Sequence, residues 1–363
     1  MYYKKELEAI KKSNRYREVK LFDEDLIDFA SNDYLGLSSN KELFEDAYTI
    51  VKENKFNSSK SSLLVNGYSK IHKNFEDQLC KYNNFEAALV VGSGFLANIS
   101  LIESLVRKKD ILIMDEYYHA SGILASQLVS NVYTFKHNDY NDLEKIIKEN
   151  KGANRIIIAI EGVYSMHGDI APMQINELAC KYDCILIVDE AHSSGVIGDN
   201  LLGWYDYHNI KKEKNHIKMG TLGKAYGSYG AYILASEHII EYLQNRAKAI
   251  IYTTAPSLFD IALAHTNFKY IMKNKEKLKN KIELFKNVVK EYLDIKVDSL
   301  ILPIVINDNK KVLDIQKKLL DKNILIGAIR QPTVDKAILR IILKLDIRED
   351  DLIKLCKFIK EYK

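Results

Sequence analysis

Cys184-Ile-Leu-Ile-Val-Asp-Glu-Ala-His-Ser-Ser-Gly195 is the stretch on which the fold turns. A short apolar run stops at an acid, Asp189, and His192 follows three residues later. Runs of this kind, without polar alternation, read as strands buried on both faces of a sheet. Ala87–Val91, Asp110–Met114, Arg155–Ile160 and Tyr229–Leu234 have the same character, and His216–Met219 is a further candidate. Between them, Leu143–Glu149 and Gln174–Tyr182 carry helical periodicity. Strands alternating with helices predict an α/β core, a mostly parallel sheet with helices on both faces.

Beyond Pro256 the pattern changes. A charged helical stretch over Ser257–Leu293 leads to strand candidates at Ile301–Ile306 and Leu339–Leu343, then to a helix over Glu349–Tyr362. This predicts a smaller α+β domain, with the N-terminal helix and Leu26–Phe29 expected beside it. The expected division is 1–38 for the N-terminal helix and segment, 39–255 for the large domain and 256–363 for the small one.

Composition narrows the function classes. The 363 residues are 47% hydrophobic and 28% charged, an ordinary globular mix. Basic residues (53) nearly balance acidic ones (49), and the lysines are scattered, so no nucleic-acid footprint is read. The four cysteines form no CxxC pair, and no His/Cys cluster has zinc spacing. Free thiols in a reducing compartment and no metal are expected. The start, MYYKKELEAIKKSNRYREV, lacks the apolar core of a signal peptide or anchor. No apolar run approaches the roughly 18 residues of a membrane span, so a cytoplasmic protein is expected.

Five motifs follow predicted strands, where open parallel sheets bind ligands. Asp189 at a strand end can keep a ring nitrogen protonated, as a pyridine cofactor needs to act as an electron sink. The Asp-Glu-Ala-His string also occurs in helicases, but this chain has no GxxxxGK[ST] phosphate loop. In Met219-Gly-Thr-Leu-Gly-Lys-Ala-Tyr-Gly227, small residues around Lys224 let a planar ligand approach the backbone. A lysine shielded from water has a lowered pKa and can form an imine; a lone lysine is more often a solvated surface group. Thr221, three residues earlier, is available to a phosphate. Gly92-Ser-Gly-Phe-Leu-Ala-Asn98 is a glycine-rich turn entering a helix, which offers free N–H groups to an anion, although many strand–helix turns carry glycines. In Asp115-Glu-Tyr-Tyr-His-Ala-Ser121, His119 can stack on a flat ring, where a lone histidine would more often be structural. In Glu161-Gly-Val-Tyr-Ser-Met-His-Gly-Asp-Ile-Ala-Pro172, Ser165 can hydrogen-bond a cofactor oxygen. The agreement of all five outweighs any one of them.

With Asp33-Tyr-Leu-Gly-Leu37, Asn66-Gly-Tyr-Ser-Lys-Ile-His72 and Pro332-Thr-Val334, these motifs occur in the order in which the α-oxoamine synthases carry them. The chain resembles that family of fold-type-I pyridoxal-phosphate enzymes from about Leu26 onward. The resemblance implies a large domain with a mostly parallel seven-stranded sheet, pyridoxal 5'-phosphate as cofactor and condensation of an amino acid with an acyl thioester, with loss of CO2. Gly67-Tyr68-Ser69, Phe135-Lys-His-Asn-Asp139 and Ala191–Gly198 resemble the biotin-pathway branch, which joins L-alanine to a pimeloyl thioester carried on coenzyme A or an acyl-carrier protein. Other branches take glycine or serine with a different acyl-CoA.

Carried over residue by residue, the resemblance makes Lys224 the Schiff-base lysine and Asp189 the partner of the pyridine nitrogen. His192 and Ser165 address the ring hydroxyl, and His119 stacks on the ring. Gly94, Phe95 and Thr221 serve the phosphate. Thr253 and Thr254 reach the neighbouring subunit's phosphate, which implies a homodimer with shared active sites. Arg17 (with Arg15 close by), Thr333 and Arg340 fall at substrate positions. The chain departs from the family at His167, where Asp is usual, and at Ser58–Ser62, which replaces a glycine-rich stretch. The loop after Thr333 is two residues short. That gap puts Arg340 on the carboxylate-binding arginine; without it Ile342 would stand there. Arginine is the side chain suited to bidentate carboxylate binding.

Overall fold

The computed structural model describes residues 2–13 and 15–362. Among the described residues, eleven strands form two sheets. In chain order they are β1 (Ile27–Phe29), β2 (Ala87–Val91), β3 (Ile111–Asp115), β4 (Val132–Phe135), β5 (Ile156–Glu161), β6 (Ile185–Asp189), β7 (His216–Thr221), β8 (Ala231–Ala235), β9 (Ile301–Val305), β10 (Ile324–Ile329) and β11 (Ile338–Ile342). The larger sheet has seven strands in the order β2-β8-β7-β6-β5-β3-β4. Only β8 runs against its neighbours. The α/β class and the mostly parallel seven-stranded sheet expected from sequence are what the structure has.

The chain falls into two compact units. The larger comprises Asp33–Ser165 and Asp169–Asn280 and holds the seven-stranded sheet. The smaller is built from the segment up to Asn32, Met166–Gly168 and the chain from Lys281 onward. Its sheet has the order β1-β10-β11-β9, with β1 parallel to β10 and the other pairs antiparallel. The units divide at 32/33 and 280/281, the latter inside the long helix Leu258–Leu293, and take up three residues after β5.

Burial explains which strands were legible. β3, β5 and β8 are buried at every residue. Each is hydrogen-bonded on both sides, so its sequence carries no polar alternation. The edge strand β4 exposes Tyr133 and Thr134, and its short mixed run escapes a search for apolar segments. β10 was also missed, because Gly327 interrupts it. A Cβ there would lie 2.9 Å from the Arg340 carbonyl oxygen across the strand pair, so the glycine is a packing requirement.

One helix matters most to the site. Gly94–Leu105 buries Ala97, Leu101, Ile102 and Leu105 against Leu89, Met114, Ile187 and Met219 of the sheet. Each buried Leu or Ile among them contributes about 1.5–3 kcal/mol. This packing fixes the helix N-terminus over the strand ends. Asp115, Glu161, Asp189 and Thr221 are the last residues of β3, β5, β6 and β7, which all run the same way, so the four gather along one edge. Among the described residues, no helix is long and apolar enough to cross a membrane.

Candidate active site

Asp189 is 3% exposed, with two donors holding it. The backbone N–H of Ala191 donates to its Oδ1 at 3.0 Å, and Asn98 Nδ2 donates to its Oδ2 at 3.0 Å. Asn98 lies in the first turns of the helix just described, fully buried. Its Nδ2 also donates to Ser121 Oγ at 2.9 Å, and its Oδ1 accepts from the buried Tyr118 hydroxyl at 2.7 Å. Ser121 Oγ in turn sits 2.7 Å from His119 Nδ1. A continuous hydrogen-bonded line therefore joins His119 to Asp189. Burial pushes the His119 imidazole below its ordinary pKa; Asp189 opposes that shift and Lys224 adds to it.

Lys224 lies between β7 and β8, and its Nζ is 2.8 Å from His192 Nε2. His192 Nδ1 is 2.5 Å from the hydroxyl of Tyr34, a fully buried residue whose ring meets the imidazole edge-on. The imidazole thus ties the amine to the buried phenol.

Thr221 ends β7, and its Oγ1 is buried without a hydrogen-bond partner. Across from it, a Cβ on Gly94 would come within 2.6 Å of Thr221 Cγ2, so only glycine lets that backbone approach. Ser93 caps the helix by accepting from the Leu96 N–H at 3.3 Å. The first N–H groups of the helix, at Gly94 and Phe95, have no intrahelical acceptor. An orphaned hydroxyl beside a helix N-terminus suits an anion.

Glu161 ends β5 as the register partner of Asp189. Its Oε2 accepts from the Ser165 N–H at 3.1 Å, and its Oε1 is buried without a partner. Burial first, then the neighbouring Asp189 carboxylate, push its pKa well above the usual carboxylate range, while Lys224 and the Ser165 N–H oppose the shift.

A single cavity of ≈ 220 Å³ collects Gly94, Phe95, His119, Asp189, His192, Thr221 and Lys224, seven residues singled out from sequence. Asn98, Ser121, Glu161, Ala191 and Met219 also line it. Asn98, Ser121 and Glu161 stood inside motifs already quoted. The signal for them was position, at a strand end or one helical turn past the glycine loop. Tyr34 also stood in a quoted motif, Asp33–Leu37, but no strand end or helical turn marked it. Ser165, Thr253 and Thr254 are not among the lining residues. Ser165 is buried and joined to Glu161 by its N–H, and Thr254 bridges to Ser62.

The remaining sequence-predicted residues belong to the smaller unit. Arg17 Nη2 donates to Thr333 Oγ1 at 3.1 Å, and both line a second cavity of ≈ 280 Å³ together with Arg15 and Arg330. Arg340 lies on β11 between β10 and β9, is 6% exposed, and donates from Nη1 to Asn32 Oδ1 at 3.0 Å. Ile342, two residues on, is fully buried. Asn32 and Arg330 were not singled out from sequence.

The family model for aminotransferase class I and II matches residues 24–359. The chain therefore belongs to that family, as a pyridoxal-phosphate-dependent acyltransferase of the α-oxoamine synthase group. It is 43% identical to the 8-amino-7-oxononanoate synthase of Helicobacter pylori strain J99, over 99% of this chain and 97% of that protein. A putative 8-amino-7-oxononanoate synthase of Aquifex aeolicus is 38% identical over 96% of this chain and 94% of its own length. The solved 8-amino-7-oxononanoate synthase of Francisella tularensis superposes with a TM-score of 0.77 at 30% identity, covering 93% of this chain and 98% of that one. Sphingomonas wittichii serine palmitoyltransferase shares the fold, with a TM-score of 0.90 at 22% identity and coverage of 100% and 98%.

Proposed function

We propose that this enzyme condenses L-alanine with a pimeloyl thioester, releasing CO2, to form 8-amino-7-oxononanoate in biotin synthesis, with pyridoxal phosphate held on Lys224. The observation that carries the reading is the cavity in which Lys224, Asp189, His119 and the Thr221–Gly94 cradle converge. The residues fit the cofactor. The unpartnered Thr221 hydroxyl and the first helical N–H groups suit its phosphate, and the doubly held Asp189 suits a protonated ring nitrogen. When bound, the cofactor supplies a positively charged ring that accepts the electron pair left at the amino acid's Cα.

The chain's own side chains do the rest. Asp189 keeps the ring nitrogen charged, and Asn98 and the Ala191 N–H keep that carboxylate aimed. The His119 imidazole, kept neutral by burial, would hold the cofactor ring without opposing its charge. The Lys224 amine anchors the cofactor in the resting enzyme. The same amine would carry the Cα proton of the amino acid, with His192 at 2.8 Å to orient it. Ser165 serves the ring hydroxyl side. Arg340 clamps the amino acid's carboxylate, with Asn32 fixing the guanidinium. Arg17 and Thr333, with Arg15 and Arg330 beside them, hold the acyl donor. Thr253 and Thr254 serve the phosphate of a second subunit, so the working enzyme is a homodimer. The acyl carrier is coenzyme A or an acyl-carrier protein.

A panel of alanine, glycine and serine against pimeloyl, acetyl, succinyl and palmitoyl thioesters tests the reading. The highest kcat/KM is expected for alanine with pimeloyl. Preference for any other pair overturns it.

A further inference from the structure

We propose that Glu161 also holds the cofactor, donating a hydrogen bond as a neutral carboxylic acid to the ring edge that bears the cofactor's hydroxyl oxygen. The inference rests on the reading that the cofactor occupies the Asp189–Lys224 cavity. Glu161 is 1% exposed and lines that cavity, yet only one of its oxygens is used within the protein. Oε2 takes the Ser165 N–H, and Oε1 is buried with no partner. A buried oxygen left in that state is unfavourable, so it marks a place where a ligand completes the site.

Strand order says which part of the ligand that is. The sheet runs β7-β6-β5 past the cavity, presenting Thr221, Asp189 and Glu161 in turn. The phosphate belongs at Thr221 and Gly94, the ring nitrogen at Asp189. In pyridoxal phosphate the hydroxyl and the phosphate arm flank the aldehyde carbon on opposite sides. The hydroxyl edge therefore falls on the β5 side, where Glu161 ends its strand.

The protonation state follows from the neighbours. Two buried carboxyl groups on neighbouring strand ends do not readily both ionise. Asp189 has two donors on its oxygens and Glu161 has one, so the proton is placed on Glu161. Burial and Asp189 raise the Glu161 pKa, with Asp115 adding and Lys224 opposing; His119 and His192 are the other titratable groups lining the cavity. A neutral acid donates to an ionised ring oxygen, whereas a carboxylate would repel it.

The test uses the full-length protein with two variants, Glu161→Gln and Glu161→Leu, and two readouts: cofactor dissociation constant by equilibrium dialysis, and the pH midpoint of the bound cofactor's visible absorption. Glu161→Gln keeps a neutral donor and is expected to hold both within about threefold and a few tenths of a pH unit. Glu161→Leu removes the donor and is expected to weaken binding about tenfold, the worth of one buried hydrogen bond. It also raises the midpoint, because a ring oxygen without its donor stabilises the deprotonated form less. If Glu161 is ionised instead, Glu161→Gln deletes a negative charge and the midpoint falls; that result overturns the proposal. So does a Glu161→Leu protein that matches wild type in both readouts. Should Glu161→Leu not fold, infrared difference spectra of wild type against Glu161→Gln decide, by presence or absence of the carbonyl stretch of a protonated acid. Wild type that takes up no cofactor would sink the underlying site reading instead, a separate result.

Discussion

Lys224 Nζ, His192 Nε2 and Tyr34 OH form one line of contacts, and the chemistry assigned to the site starts from it. Replacing Lys224 by alanine should abolish turnover, a loss of several orders of magnitude, because anchor and proton carrier are one amine. The loaded wild-type protein should be yellow, with a band that borohydride removes; Lys224→Ala should show no borohydride-sensitive band. Asn98 makes a second residue-level test. Its amide satisfies Asp189, Ser121 and Tyr118 at once. Asn98→Leu strands those groups, and each buried orphan costs about 1–3 kcal/mol. Cofactor affinity should fall at least tenfold in a binding titration, and melting temperature should drop with it. Lys224, Asp189 and His119 were legible because each follows a strand-like run. Tyr34 was not, since it is brought to His192 across 158 positions of sequence.

At the scale of elements, the end of β3, the residue pair after β4 and the loop after β5 are tied by one imidazole. His137 Nδ1 is 3.0 Å from Asp115 Oδ1, and its Nε2 is 2.7 Å from Asp169 Oδ2. Burial by itself would lower its pKa, but the hydrogen bonds and charges of the two carboxylates outweigh that and raise it to about 9. A raised folded-state pKa stabilises the fold fully below the ordinary value of 6.5, and the contribution is lost as pH rises through about 9. Denaturant midpoints should therefore fall across that window in wild type and change less in His137→Gln. The partly exposed site keeps the effect on the order of 1–2 kcal/mol. Gly94→Ala tests the strand–helix contact. The added methyl meets Thr221 at 2.6 Å, so cofactor affinity should fall while the helix, whose apolar face is untouched, stays folded by circular dichroism. The Phe135–Asp139 stretch had been read only as a subfamily feature. Its work as a clamp was hidden because Asp115 and Asp169 are distant in sequence.

For the whole molecule, the decisive side chain of the smaller unit is Arg340, central in its sheet and nearly buried. Arg340→Ala should raise the KM for the amino acid about a hundredfold, the worth of a lost charge-assisted pair, with a smaller effect on the KM for the thioester; steady-state kinetics varying each substrate checks this. By itself the sequence determined the strand–helix alternation, six of the seven strands of the larger sheet and seven of the residues around one cavity. Apolar runs ending in chemically distinctive side chains are local signals, and they survive without knowledge of neighbours. Only the tertiary structure decided that Glu161 stands beside Asp189, that Asn98 and Tyr34 hold the reactive groups, that β4 and β10 complete the sheets, and that Met166–Gly168 belong to the smaller unit. Each of those depends on strand pairing or on burial between segments far apart in the chain, and neither periodicity nor motif spacing carries that information.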